Sequence, residues 1–180
     1  MRREMKTALH SIVIENIQLL NKETKKMKRT MLVNVIDVLC LVLMIGSTAY
    51  LLAHWGALPD RVPIHYGFNG KADGWIGKAY AWIHPCIMWG LFVLISVVEC
   101  FPRLWNTGGI KITEENRNRI YALMRNLIST TKMLVVAILT VVVADVTKGG
   151  GAVPSGLIAA FLPIIIANIA FWWVKMFLNR

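Results

Sequence analysis

The sequence predicts an all-α integral membrane protein: a four-transmembrane-helix bundle with an amphipathic N-terminal helix and a structured extracellular loop between helices 1 and 2. Three observations lead there. Apolar residues make up 56% of the 180 and charged residues only 17%, against roughly 45–50% and about 25% in soluble domains. The apolar residues gather into four long blocks, and a helix crossing the hydrocarbon needs about 20 such residues. Lysine and arginine sit between the blocks, heavily on alternate connections.

Residues 1–30 read as a cytoplasmic amphipathic basic helix. Met5, Leu9, Ile12, Val13, Ile17 and Leu20 recur at helical spacing, with Lys and Glu between them. Such a helix lies along the cytoplasmic leaflet or docks a protein partner. The basic run at 22–29 is drawn to anionic lipid in either case.

Residues 31–180 form the transmembrane domain, with spans at about 31–54, 79–101, 129–147 and 153–174. The first block is longer than a signal-peptide core of about 7–15 residues. Leu51 and Trp55 stand three before the candidate cleavage points, where a small residue is needed, so the block reads as a retained anchor. The third block is purely apolar only over 133–144 and reaches spanning length by extending to 129–147. A helix expected to start at a Thr113 cap, with Glu114 and Glu115 in its first turn, carries the stripe Ile120, Leu123, Met124, Leu127 and Ile128 toward that block.

Orientation follows from the positive-inside rule. The N-terminal segment carries Arg2, Arg3, Lys6, Lys22, Lys25, Lys26, Lys28 and Arg29. The second connection carries Arg103, Lys111, Arg117, Arg119, Arg125 and Lys132, and the tail Lys175 and Arg180. The two alternate connections hold only Arg61, Lys71, Lys78 and Lys148. The sixteen are expected inside, which places both termini in the cytoplasm. The net charge of +10 is therefore read as topology and lipid contact, with no nucleic-acid partner. Cys40, Cys86 and Cys100 fall inside apolar blocks and read as small packing residues. The tryptophans near block ends read as an interfacial belt.

Ionisable or amide side chains inside spans are costly in lipid and face other helices. These are Asn34, Asp37, Glu99, Lys132 and Asn168. Lys132 is expected to pair with Asp37 or Glu99, with Asn34 one turn from Asp37, and all five read as interhelical glue. Asp145, near the outer end of the third span, is expected to be wet.

The first outer loop is the richest stretch. Pro59-Asp60 favours a turn, and Asn69-Gly70 suits the left-handed conformations of a tight hairpin. Val62, Ile64 and Tyr66 alternate with Pro63 and His65, so 62–66 is expected to pair with 71–75. The candidate ligand-binding residues are Pro59, Asp60, Arg61, Pro63, His65, Tyr66, Asn69, Asp73 and Trp75. His65, Asp60 and Asp73 are also the candidate metal ligands, with His54 and His84 near the same face. No catalytic residue and no cofactor are predicted.

The string Leu58-Pro59-Asp60-x-Val62-Pro63-x-His65-Tyr66, followed by Gly70-x-x-Asp73-Gly74-Trp75, resembles the membrane domain-of-unknown-function family numbered 1648, found at the N-terminal side of SdpI-like immunity proteins. Lys111 to Asn116, with Tyr121 and Arg125, is similar to that family's cytoplasmic segment, so the resemblance covers roughly residues 31–130. Gly67 departs from it, where the family more often has Asn or Asp. The resemblance implies a polytopic protein with an immunity role. Expected partners are the lipid bilayer, a secreted peptide toxin or envelope ligand, a cytoplasmic regulator and a second copy of the chain. The alternatives are a membrane-embedded enzyme or metal site built on His65, Asp60 and Asp73, and a small oligomeric transporter using Asp37 and Glu99.

Overall fold

A computed structural model describes residues 29–150, 153 and 155–180, together with Ile14. The expected N-terminal amphipathic helix lies outside the described residues, Ile14 apart. The chain runs through α1 (Met31–Ala53), β1 (Arg61–Tyr66), β2 (Ala72–Gly77), α2 (Ile83–Cys100), α3 (Arg117–Thr147) and α4 (Ser155–Leu178), with short 3-10 turns at 55–57, 78–82 and 102–104. Among the described residues, four helices are long and apolar enough to cross a membrane, the second including the 3-10 turn at its start.

α1 shows how such a helix divides its surface. Val33, Ile36, Cys40, Met44, Ser47 and Leu51 are buried. Their spacing of three and four places them on one stripe. Val35, Val38, Leu39, Val42 and Ile45 are exposed, as an apolar helix facing lipid on its other side must be. Thr30 caps the helix by accepting from Val33 N–H at 3.3 Å and also donates to Asn126 Oδ1 at 2.7 Å, which ties the start of α1 to α3.

α3 is the hub, touching α1, α2 and α4. It is a single helix of 31 residues, about 46 Å long, so the stripe from Ile120 to Ile128 and the third apolar block are one rod. It starts later than the sequence suggests. Thr113 and Asn116 cap each other: Thr113 N–H donates to Asn116 Oδ1 at 2.8 Å, and Asn116 N–H to Thr113 Oγ1 at 3.2 Å. This exchange uses Thr113 in a turn holding Glu114 and Glu115, and leaves Asn116 at the helix boundary.

Three apolar clusters stack along the bundle. Ile36, Cys40, Met44, Met88 and Val136 fill the middle. Leu51, Leu58, Val62, Ala81, Val143 and Val146 join the β-hairpin to the helix ends. Ile110, Ile120, Met124 and Met176 fill the opposite end. α4 leans on α3 through Asn168 Nδ2 to Thr131 Oγ1 and Trp172 Nε1 to Thr130 Oγ1, both 3.0 Å. Its Leu162, Ile164, Ile166, Ile169 and Phe171 are exposed. Of the cysteines only Cys40 packs in the interior; Cys86 and Cys100 are exposed, because they fall on the outer faces of α2.

Candidate functional site

The connection between α1 and α2 is a two-stranded antiparallel hairpin. Arg61 pairs with Gly77, Pro63 with Trp75, His65 with Gly74 and Tyr66 with Ala72. Two compensating irregularities flank His65: the step from Pro63 to His65 spans one extra residue on β1, and the step from His65 to Tyr66 one extra on β2. Alternation is lost as a result. Val62 and Pro63 are both buried, while Ile64 and His65 are both exposed, which is what a bulge does to a strand's faces. Proline, lacking a ladder donor, is tolerated at such a place.

The turn is wider than the tight two-residue form. Gly67 N–H donates to Lys71 O and Gly70 N–H to Gly67 O, each at 2.9 Å. Only Gly70 has positive φ, at 78°. Asn69 works through its side chain, whose Oδ1 accepts from Lys71 N–H at 3.0 Å. Phe68 projects from the tip, 92% exposed.

The hairpin is seated on the bundle by three contacts from separate parts of the chain. Val62 is fully buried among Leu51, Val143 and Val146. Tyr66 donates its hydroxyl to Asp145 Oδ2 at 2.8 Å. Burial, and then this bond, push the Tyr66 phenol far above its ordinary range. Asp145 is thus a structural acceptor and not merely wet. The third contact is the turn after α3. Gly150 has φ 70°, and a Cβ there would stand 2.4 Å from Pro63 Cγ. A side chain is excluded both by backbone and by space.

Exposed on the seated hairpin are Asp60, Arg61, Ile64, His65, Phe68, Asn69, Asp73 and Trp75, with Pro59 just before it. His65 Nδ1 and Asp73 Oδ1 are 2.5 Å apart. Arg61 donates to Trp75 O at 3.3 Å. Of the sequence's metal candidates, His65 and Asp73 are brought together, and among the described residues no group of three His, Cys, Asp or Glu is placed to hold a metal ion. His84 is buried beneath, with Nδ1 3.4 Å from Ala81 O.

Toward the other end lies a cluster of buried charge. The Lys132 ammonium is fully buried. It lies 2.9 Å from Glu99 Oε2, 3.2 Å from Ser96 Oγ and 2.7 Å from Asp37 Oδ1. The Asp37 contact is off the hydrogen-bonding direction and acts through charge. Asp37 Oδ2 accepts from Arg29, whose guanidinium is also 4.0 Å from Glu99. The Phe92 ring faces the ammonium with its centroid 5.1 Å away. α1, α2 and α3 thus each give one charged group, and Lys132 takes both carboxylates where the sequence offered either. Arg29, counted only as an orientation charge, joins them. Arg125 is 8% exposed, so it and Lys132 are bundle residues and not loop charges. Asn34 is exposed on α1, since it stands one residue, about 100° of turn, past Val33 on the buried stripe. Asn168 binds Thr131 on α3, away from the cluster.

Residues 42–89 match the family model described as Domain of unknown function (DUF1648). The match is narrower than the stretch that the sequence motifs suggested; it takes in the later part of α1, the whole hairpin and the first turns of α2. No curated protein and no solved structure matches the chain. What the comparison establishes is a similarity, over the segment that bears the hairpin, to a domain family of unknown function.

Proposed function

We propose that this is a multi-pass recognition protein of the bacterial plasma membrane, with both termini in the cytoplasm, whose hairpin binds an extracellular peptide or envelope component. The observation that carries this reading is the seating of the hairpin. A tether needs no buried valine, no hydrogen bond to a helix 79 residues away and no glycine shaped to a proline ring. A preorganised surface needs such supports, because ordering a loop on binding would cost affinity. The exposed set is mixed: Ile64, Phe68 and Trp75 supply apolar area, while Arg61, His65 and Asp73 supply polar contacts. That is the composition of a peptide-binding face. Orientation rests on the charge imbalance, which stays large after Arg125 and Lys132 are set aside as buried.

The immunity role implied by the resemblance to SdpI-like proteins gives the reading its biological form. α3 runs unbroken from Asp145 at the hairpin, past Lys132, to the cytoplasmic end, a rigid connection between a bound peptide and a cytoplasmic regulator. A strain lacking the gene is expected to become sensitive to a secreted antimicrobial peptide, with protection restored by the wild-type gene and not by the Phe68→Ser/Trp75→Ser double variant. Unchanged sensitivity across a panel that includes the strain's own secretome removes the reading. In a background with the native cysteines replaced by serine, Asn69→Cys should label from outside and Glu114→Cys only after permeabilisation.

A further inference from the structure

At the end of the bundle away from the hairpin, a cleft of about 330 Å³ lies between the 106–113 connection and the last turns of α4. One wall is the lipid-facing aromatic edge of α4, Trp173 and Phe177, which are 42% and 40% exposed. The opposite wall is backbone. Gly108 and Gly109 both have positive φ, and a Cβ at Gly108 would stand 2.4 Å from Trp173 Nε1, so the connection closes directly on the indole. At the rim stand two exposed cations, Lys111 and Arg180. Arg180 lies with its guanidinium carbon 4.0 Å from the Phe177 ring centroid, a placement that leaves its edge free to meet an anion. Among the described residues no Asp or Glu side chain lines the cleft.

We propose that this cleft binds the phosphate of an anionic phospholipid headgroup. Its chemistry is paired: two cations for a phosphate, and an aromatic wall continuous with the helix surface that acyl chains cover. Trp at the end of a span belongs at the headgroup level, which puts the rim where lipid phosphates lie. A free phosphate would use the cations and leave the aromatic wall unexplained. The proposal is independent of the hairpin's role and of which leaflet the cleft faces.

The test is native mass spectrometry of the full-length protein released from micelles doped with phosphatidylglycerol or with phosphatidylcholine. Wild type should retain one phosphatidylglycerol in preference to phosphatidylcholine. The Lys111→Ala/Arg180→Ala variant should lose affinity for it about 30-fold, roughly fivefold for each basic side chain at a membrane surface. Both residues are exposed, and an unchanged melting temperature checks the fold. Lys148→Ala, at the hairpin end, is the control and should retain the lipid as wild type does. Equal retention of the two lipids, or equal retention by the double variant, overturns the proposal. Displacement of the lipid by inorganic phosphate at the same concentration assigns the site to free phosphate and overturns it too.

Discussion

Two close acid–base contacts of this molecule, one inside the bundle and one on the hairpin, have opposite consequences. Lys132 and Glu99 are 2.9 Å apart with side chains 0% and 4% exposed; His65 and Asp73 are 2.5 Å apart with side chains 72% and 56% exposed. Distance alone would rank them together. Solvent separates them: a buried charge that loses its partner has nothing to replace it, whereas water takes over at an exposed one. The first pair belongs to the architecture of the bundle. The second is available for other chemistry at little structural cost.

The largest effect expected follows from breaking the first pair. Lys132→Met leaves Asp37 and Glu99 in the interior without the ammonium that joins them, the half-exposed Arg29 still beside both. The cost should be about 3–5 kcal/mol, read as a collapse of the thermal transition in detergent or as failure to accumulate. The comparison is sharpened by adding Asp37→Asn and Glu99→Gln to the same chain. Removing all three charges should recover much of the loss, since a well-packed neutral replacement of a buried ion set is often close to neutral. If the triple variant is as unstable as the single one, packing and not charge governs the site.

Gly150→Ala tests the seat of the hairpin from the far side. It asks a residue with a Cβ to hold φ 70° and drives that Cβ into the Pro63 ring. Left-handed backbone costs roughly 1–2 kcal/mol for such a residue, and the overlap adds to it. Because the strain falls on one contact, the expected readout is local: faster hydrogen exchange at 61–66 and 72–77 with α1 to α4 unchanged.

Much of this was written in the chain. The apolar blocks, the pairing of Lys132 with a carboxylate and the existence of a hairpin all follow from local pattern, because lipid imposes length and charge imposes proximity. What the sequence hides are contacts between segments far apart. Asp145 looks like a wet carboxylate at a helix end, and nothing near it announces Tyr66. Gly150 looks like one of several loop glycines until Pro63 is seen beneath it. The lost alternation around His65 is likewise a product of pairing geometry, since a bulge depends on the partner strand. Arg29 reads as a topology signal and becomes a structural ion only once α1 and α2 are side by side.

Tyr66→Phe deletes a single hydroxyl and should cost about 1.5 kcal/mol, the low end for a hydrogen bond to a charged acceptor. Its pH dependence identifies the cause. Burial and Asp145 hold the folded-state phenol above its unfolded value of about 10, so the contribution is full below that pH and is lost as pH rises beyond it. The stability gap between wild type and Tyr66→Phe should therefore stay level from neutrality to about pH 9.5 and narrow above pH 10. A gap that does not narrow above pH 10 would mean that burial of the phenol is not the cause.

The smallest structural effect belongs to the exposed pair, and it is the one that separates stability from recognition. Asp73→Asn keeps the shape of the side chain, removes its charge and leaves His65 in water; an exposed pair is worth within about 1 kcal/mol. Melting should barely move. If the hairpin face is where an extracellular peptide binds, the same substitution should still reduce protection against that peptide. The expected pattern is thus folded protein with impaired function at Asp73, against lost protein at Lys132. A clear drop in melting temperature for Asp73→Asn would mean that the hairpin's outer pair helps hold the fold, and the distinction between the buried and the exposed pair would fail.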